Sequence, residues 1–148
     1  MIIGVTFDIE QCTGKMLWQI LKCIDIESYI WYVEQDAVYT SPSGETFFKK
    51  DSYDGSEFLK LALVDHYIIF LKAGAYLKNG GYFDIKTYED FVKSDCQLLL
   101  LICDCEYVDI YAKDKNISKA IYENAIANNF TNLEYVTEEN DGRTGMDV

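Results

Sequence analysis

The sequence has few basic residues, one proline, one histidine and no long apolar run. Its longest uninterrupted apolar stretch, residues 98–103, covers only six positions, whereas a membrane-spanning helix needs about 20. The first five residues, Met-Ile-Ile-Gly-Val, lack the basic region and the long apolar region of a secretory signal peptide. We therefore expect a cytoplasmic protein that does not bind a membrane.

Cysteine motifs that hold zinc or form redox centres are also missing. The five cysteines fall at irregular spacing, at Cys12, Cys23, Cys96, Cys103 and Cys105. None belongs to a Cys-x-x-Cys motif, and the single histidine, His66, cannot complete a Cys and His ligand set. An odd number of cysteines suits free, buried thiols in a reducing compartment. No metal and no cofactor is expected.

Basic residues are scarce relative to acidic ones. Lys and Arg number 13 against 25 Asp and Glu, which gives a formal net charge of -12. Such a field repels the phosphates of nucleic acids and of anionic lipids, and it attracts basic proteins. A basic protein is therefore the expected partner, and nucleic acid is not. The alternative is that the acidity only keeps the protein in solution.

What the sequence does contain is apolar and aromatic material. Hydrophobic residues make up 49% of the 148 positions, with twelve Tyr and eight Phe, which is enough for one domain with its own core. Strand-like and helix-like spacings alternate irregularly. They predict a single α+β domain at residues 1–137, with a mixed and largely antiparallel sheet packed by about four helices. Residues 138–148 are predicted to be a polar, acidic and loosely held tail.

Local signals place several of these elements. Strands are predicted at residues 2–8, 67–72 and 98–103, a hairpin at 29–40, and helices at 15–24, 56–65 and 117–128. Asp54 with Glu57, and Thr87 with Asp90, have the spacing of a capping box at a helix start. Thr13 is predicted to cap the first helix. The apolar run at 98–103 is predicted to be a central strand that turns into its neighbour.

Two acidic residues end the first strand, in the stretch Phe-Asp-Ile-Glu with Asp8 and Glu10. The stretch resembles the first motif of the DnaQ-like exonucleases, in which an Asp-x-Glu binds two metal ions. Such a site also needs an Asp a few residues after a His or Tyr, yet Phe70 stands four residues after His66. The stretch is therefore interpreted as a strand end, and no catalytic residue is assigned from it.

An alternative keeps these carboxylates as ligands. Asp104 follows the apolar strand, and if that strand lies beside the first one, Asp8, Glu10 and Asp104 would form a cluster for Mg²⁺ or Mn²⁺. The chain would then be a divalent-metal-dependent hydrolase or nuclease. Acidic residues at strand ends are common in so acidic a chain, which makes this the second choice.

The acidic tail holds the residues that we expect to bind a partner. Glu138, Glu139 and Asp141 surround Arg143, the only arginine in the protein. A mobile acidic arm can dock on a basic partner and become ordered on binding. The alternative is a solvated chain end without a role in binding.

Three segments of the sequence resemble a known family. They are "GVTFDI" at residues 4–9, "SDCQLLLLICDCEYVDIYAKDK" at 94–115 and "LEYVTEENDGRT" at 133–144. They are similar to an uncharacterised bacterial family catalogued as domain of unknown function 2691, found in spore-forming Gram-positive bacteria. The resemblance implies a small, single-domain cytoplasmic protein, and it supplies neither an activity nor site residues.

These observations favour a non-catalytic, acidic protein-binding module of the inhibitor or immunity type. The diffuse negative charge speeds association with basic proteins, and tyrosine is enriched at protein interfaces. The metal-dependent hydrolase or nuclease remains the alternative. A regulatory domain with a small-molecule pocket is a third possibility, and the oligomeric state is open.

Overall fold

The computed structural model describes residues 1–10 and 12–148. The strands and helices in this part of the chain are β1 (Ile2–Asp8), α1 (Met16–Leu21), β2 (Tyr29–Thr40), β3 (Ser52–Asp54), α2 (Gly55–Ala62), β4 (His66–Leu77), α3 (Tyr88–Lys93), β5 (Cys96–Cys103), β6 (Tyr107–Ala112), α4 (Lys115–Ala127) and β7 (Thr131–Thr137). A short 3₁₀ helix, Ile26–Ser28, precedes β2. None of the helices in these residues is long and apolar enough to cross a membrane.

The strands form one sheet in the order β3-β2-β4-β5-β6-β1-β7. Every described pairing between neighbours is antiparallel. The predicted α+β class, with a largely antiparallel sheet and about four helices, is thus confirmed. One face of the sheet packs on α1, α2 and α4 through residues such as Leu17, Phe58 and Ile121. The opposite face is covered by α3 and by the C-terminal segment, residues 138–148, with Phe91 and Met146 in its core.

The apolar run at residues 98–102 is continuous because β5 is buried on both faces. Leu98, Leu100 and Ile102 pack on the helix-covered face, and Leu99 and Leu101 pack on the opposite face. β5 then turns directly into β6, with which it pairs. The predicted central strand and its turn into a neighbour are confirmed.

The hairpin predicted within residues 29–40 is wrong. β2 is one 12-residue strand that pairs with β4 from Tyr29 to Thr40. Its register shifts twice, between Val33 and Gln35 and between Ala37 and Val38. Such bulges let polar residues interrupt the alternation of inward and outward side chains without ending the strand. In the sequence, an interruption of this kind resembles the turn of a hairpin.

The two predicted capping boxes are confirmed. Asp54 with Glu57 caps α2, and Thr87 with Asp90 caps α3. The cap predicted at Thr13 is wrong, because α1 begins after Lys15 and has no side-chain cap there.

His66, fully buried at the start of β4, helps to satisfy the first turn of α1. Its ring Nε2 accepts a hydrogen bond from the amide of Leu17 at 3.2 Å. Its Nδ1 lies 2.6 Å from the carbonyl oxygen of Val64, to which it donates. The ring is therefore neutral and structural, and it belongs to the helix-covered face.

Acidification is expected to destabilise the fold through His66. Burial lowers the pKa of His66 below its ordinary value of 6.5, so the unfolded chain binds the proton more readily than the folded one. The free energy of unfolding should therefore fall as pH drops from 6.5 towards the pKa of His66 in the folded protein. Above pH 6.5, His66 should add nothing to the pH dependence of the free energy of unfolding. Urea unfolding across this range measures the slope. NMR of the single histidine ring should give a midpoint below 6.5, and a midpoint at or above 6.5 contradicts the prediction.

Candidate partner-binding site

A hollow opens where the C-terminal segment folds back over β1, β6 and β7, on the sheet face opposite the large helices. It has a volume of about 270 Å³, and its polar lining includes Thr6, Asp109, Tyr111, Glu134, Asp141 and Arg143. We call it the acidic hollow. Three carboxylates and one guanidinium meet in it, so its charges sum to a negative value.

Strand register brings the floor of the acidic hollow together. Thr6 pairs with Asp109 across β1 and β6, and with Glu134 across β1 and β7. Directly opposed residues in antiparallel strands project from the same face. The three side chains therefore lie side by side, and the Thr6 hydroxyl donates a 2.7 Å hydrogen bond to Asp109 Oδ1.

Arg143 closes the hollow from the C-terminal segment. Its Nε donates to Asp109 Oδ2 at 2.7 Å, and the two side chains are only 20% and 24% exposed. Its Nη1 donates to the carbonyl oxygen of Asp147 at 2.9 Å. Charge-assisted hydrogen bonds of this kind are stronger than neutral ones. The guanidinium thus holds the segment on β6.

Asp141 fastens the same segment at a second point. It accepts a hydrogen bond from the Tyr111 hydroxyl at 2.9 Å and another from the Arg143 amide at 3.1 Å. Burial, and after it the hydrogen bond with Asp141, raises the pKa of Tyr111. The phenol therefore remains a donor to this carboxylate across the physiological pH range.

The expectation of a loosely held tail is wrong. Met146 is 1% exposed and packs with the core on this face of the sheet. Its amide also donates to the carbonyl oxygen of Lys86 at 3.0 Å. Its polar composition gave no sign of these contacts, because they depend on residues that are distant in the sequence.

A buried lysine contacts the end of the C-terminal segment at a different hollow. Lys72, in the middle of β4, is 2% exposed, and its Nζ lies 2.8 Å from Glu34 and 3.6 Å from Asp147. The ammonium also donates to the carbonyl oxygen of Ile85. Sequence reasoning missed this site, although a single lysine inside an otherwise apolar strand was a signal that could have found it.

The four predicted partner-binding residues do not share one environment. Asp141 and Arg143 line the acidic hollow and are engaged with the fold. Glu138 lines an adjoining hollow, and Glu139 follows it. Both are exposed, as is Glu134, and among the described residues none of these three glutamates makes a salt bridge. They form the unneutralised edge of the site.

Asp8 and Asp104, the strand-end carboxylates, lie at the same end of the sheet. Asp8 pairs with Tyr107 across β1 and β6, and Asp104 lies in the turn just before β6. The charge of Glu106, followed by slight burial and by Asp8 and Asp104, raises the pKa of Tyr107. The apolar strand β5 is not the neighbour of β1, however, because β6 lies between them.

Glu10 does not join them. It lines a different hollow, beside Met16 and Phe130, while Asp8 accepts a 2.7 Å hydrogen bond from Asn132. Within residues 1–10 and 12–148, no group of three or more His, Cys, Asp and Glu side chains is placed to hold a metal ion. The cluster of Asp8, Glu10 and Asp104 that the hydrolase or nuclease alternative requires is therefore not assembled there.

Comparison with known proteins reaches nearly the whole chain. The family described as "Protein of unknown function (DUF2691)" matches residues 2–147. The chain belongs to this family. The match covers the seven strands of the described residues and the C-terminal segment as far as Asp147, including Arg143. The resemblance inferred from the sequence is confirmed.

A relative of this DUF2691 chain is "Uncharacterized protein YncE" of Bacillus subtilis (strain 168). The two are 35% identical over 150 residues, which is 98% of each chain. No solved structure matches the chain.

Removing the Arg143 charge should open the C-terminal segment. In the variant Arg143→Gln, the lost charge-assisted bonds of about 1.5 kcal/mol should raise the open population about tenfold. Cleavage after Glu138 and Glu139 by a glutamate-specific protease reports this population. Lys119→Gln, which removes an exposed ion pair with Glu123, is the matched control. Equal cleavage rates in the two variants would contradict the prediction.

Divalent metal ions are expected to leave the melting temperature of this DUF2691 protein unchanged within about 1 °C, because the described residues assemble no metal cluster. A site with a Kd of about 0.1 mM would instead add about 2.3 kcal/mol of stability at about 5 mM Mg²⁺ or Mn²⁺. Thermal melting with metal, and with EDTA as control, tests this. A dose-dependent rise that Asp8→Asn abolishes would revive the enzyme alternative.

Proposed function

We propose that this DUF2691 chain is a non-catalytic, acidic protein-binding module of the inhibitor or immunity type, and that its acidic hollow receives a basic side chain of a partner protein. One observation carries the proposal. Glu134 is exposed at the hollow and has no cationic partner among the described residues, while the arginine in the hollow is occupied by Asp109. A lysine or arginine of the partner supplies the missing positive charge.

The size of the hollow supports a side chain as its occupant. Its volume of about 270 Å³ lies below the range of about 300–1,000 Å³ that is usual for small-molecule sites. A protruding basic side chain fits this space better than a whole metabolite, which speaks against a regulatory small-molecule pocket here.

The charge of the whole chain supports the same kind of partner. A net charge of -12 steers basic proteins towards the surface and raises association rates, most strongly at low salt. Glu138 and Glu139 extend the negative edge beside the hollow. The module is the domain at residues 1–137 together with its acidic tail at residues 138–148.

The proposed place of action is the bacterial cytoplasm. All five cysteines are free, which suits a reducing compartment. The relative from Bacillus subtilis is similar over 98% of its length, so a lysate of that bacterium is a suitable source of partners.

Two matched triple variants test the proposal. The immobilised chain is cross-linked to binding proteins from a Bacillus subtilis lysate, and each candidate is purified for affinity measurements.

Glu134→Gln with Glu138→Gln and Glu139→Gln should weaken binding at least about tenfold, since three rim charges are lost. The control, Glu10→Gln with Glu27→Gln and Glu45→Gln, removes the same charge far from the hollow and should retain affinity. An equal loss of affinity in both triple variants would mean that binding depends on the net charge of the protein and not on the hollow, which contradicts the proposal. An absence of cross-linked binding proteins would also contradict it.

A further inference from the structure

Two cysteines lie beside each other in the fold although they are far apart in the sequence. Cys12 belongs to the loop between β1 and α1, and Cys105 belongs to the turn between β5 and β6. Their backbones bond to consecutive residues of β4, and Cys12 is among the groups that raise the pKa of Cys105, so the two side chains are neighbours. Both residues are half-buried, so a small oxidant in solution can reach them.

The backbone holds both cysteines against β4. The carbonyl oxygen of Cys12 accepts a hydrogen bond from the amide of Ile68 at 2.9 Å, and the amide of Cys105 donates to the carbonyl oxygen of Ile69 at 3.1 Å. Ile69 has no counterpart in the pairing with β2, because the register shifts there. This bulge directs the amide of Ile68 and the carbonyl oxygen of Ile69 towards the same edge of β4. The strand geometry thus holds the backbones of the two cysteines next to each other at one edge of β4.

The other thiols have different surroundings. Cys96 is fully buried, donates to a carbonyl of its own strand at 3.2 Å, and has a pKa raised to about 12, mainly by burial. Cys23 donates to a carbonyl three residues earlier at 3.8 Å. The sulfur of Cys103 lies 3.8 Å from Arg143 Nη2. None of these three has a second thiol as its recorded partner in the part of the chain that the structure describes.

We propose that Cys12 and Cys105 are a dithiol site that hydrogen peroxide oxidises to an intramolecular disulfide. First, the thiolate sulfur of Cys12 attacks one peroxide oxygen, the O–O bond breaks, and the leaving hydroxide takes a proton to become water. The product is a sulfenic acid on Cys12. Second, the Cys105 sulfur attacks the sulfenic sulfur, the S–O bond breaks, and the hydroxide leaves with the Cys105 proton as water. Two thiols are oxidised, and one peroxide is reduced to two waters.

We assign the first attack to Cys12 and the second to Cys105. Burial, the interaction with Cys12 and the charge of Asp104 raise the pKa of Cys105, which lowers the share of its reactive thiolate. The serine variants below test this order.

The disulfide would tie the β1–α1 loop to the β5–β6 turn and close a long loop of the chain. A cross-link over such a span removes much entropy from the unfolded state. The melting temperature of the oxidised protein should therefore rise by on the order of 10 °C.

Thiol counting and peptide mapping test the site. The reduced full chain is treated with hydrogen peroxide, denatured and alkylated. It should lose two of its five free thiols, lose the mass of two hydrogens, and yield one cross-linked peptide pair that contains Cys12 and Cys105. Dithiothreitol should restore all the thiols and reverse the rise in melting temperature.

Serine variants separate the two roles. Cys12→Ser should form no disulfide, and Cys105→Ser should accumulate a sulfenic acid on Cys12 that dimedone traps. Cys23→Ser is the matched control and should oxidise like the parent chain. A cross-link between Cys103 and Cys105, peroxide consumption that persists in Cys12→Ser, or a full thiol count after oxidation would each overturn the proposal. None of these outcomes depends on whether the acidic hollow binds a partner.

Discussion

Lys72→Met is expected to lower the free energy of unfolding by about 3 kcal/mol. The Lys72 side chain is 2% exposed, and its partner Glu34 is 16% exposed at 2.8 Å. Removing the ammonium leaves the Glu34 carboxylate without its cation in a largely dry site, and an uncompensated buried charge is costly. Urea unfolding measures the change. Because Asp147 also contacts Lys72, the C-terminal segment should open more often in this variant.

Two further variants show whether burial is the cause. Lys50→Met breaks a pair of the same 2.8 Å length with Glu57, but there both side chains are about half exposed. Solvent screens such a pair, so stability should change little. The double variant Glu34→Gln with Lys72→Met removes both charges and should recover part of the loss. If Lys50→Met costs as much as Lys72→Met, burial is not the source of the effect.

Gly4→Ala is expected to destabilise the protein by about 3 kcal/mol, because added atoms in a packed sheet force the backbone to move. A methyl group on Gly4 would lie 2.2 Å from the carbonyl oxygen of Ile110 and 3.2 Å from the Cα of Tyr111. These are backbone atoms of the neighbouring strand, so no side-chain rotation relieves the contact. The change pushes β1 away from β6 at the strand pair that carries the acidic hollow.

Gly81→Ala is the matched control for this effect. Among the described residues, no atom lies within 4 Å of the methyl group that it would add. Stability should therefore stay the same, or rise slightly because alanine restricts the unfolded chain more than glycine does. Urea unfolding of both variants gives the comparison. An equal change in the free energy of unfolding of the two variants would show that the close contact between β1 and β6 at Gly4 does not cause the loss of stability. Partner affinity should fall in Gly4→Ala alone.

The acidic hollow and the dithiol site lie on different surfaces of the fold. The acidic hollow lies on the sheet face covered by the C-terminal segment, whereas the dithiol site lies at the edge of β4 beyond the end of β5. A bridge between Cys12 and Cys105 leaves Asp109 and Glu134 in place. Partner binding and oxidation can therefore be measured independently in the same protein.

Local signals were sufficient for some elements. The capping boxes of α2 and α3 depend on residues three positions apart, so their chemistry is contained in a short window. The continuous apolar run of β5 predicts a strand that is covered on both faces, and such a strand lies inside a sheet rather than at its edge. The structure shows that β5 is buried on both faces. β2 was misread because its bulges form only against β4, a partner that the window does not contain.

The sequence by itself determined the fold class, the family and the strong acidity of this protein, since these follow from composition, periodicity and resemblance. Only the tertiary structure decided which charges meet. Thr6 bonds to Asp109, Arg143 reaches the same carboxylate from the C-terminal segment, and Cys12 meets Cys105. These contacts depend on the register and order of antiparallel strands, which join residues that are distant along the chain. The acidic tail, which the sequence predicts to be loose, is anchored at the candidate site because Arg143 and Met146 contact residues of the sheet face that are distant in the sequence.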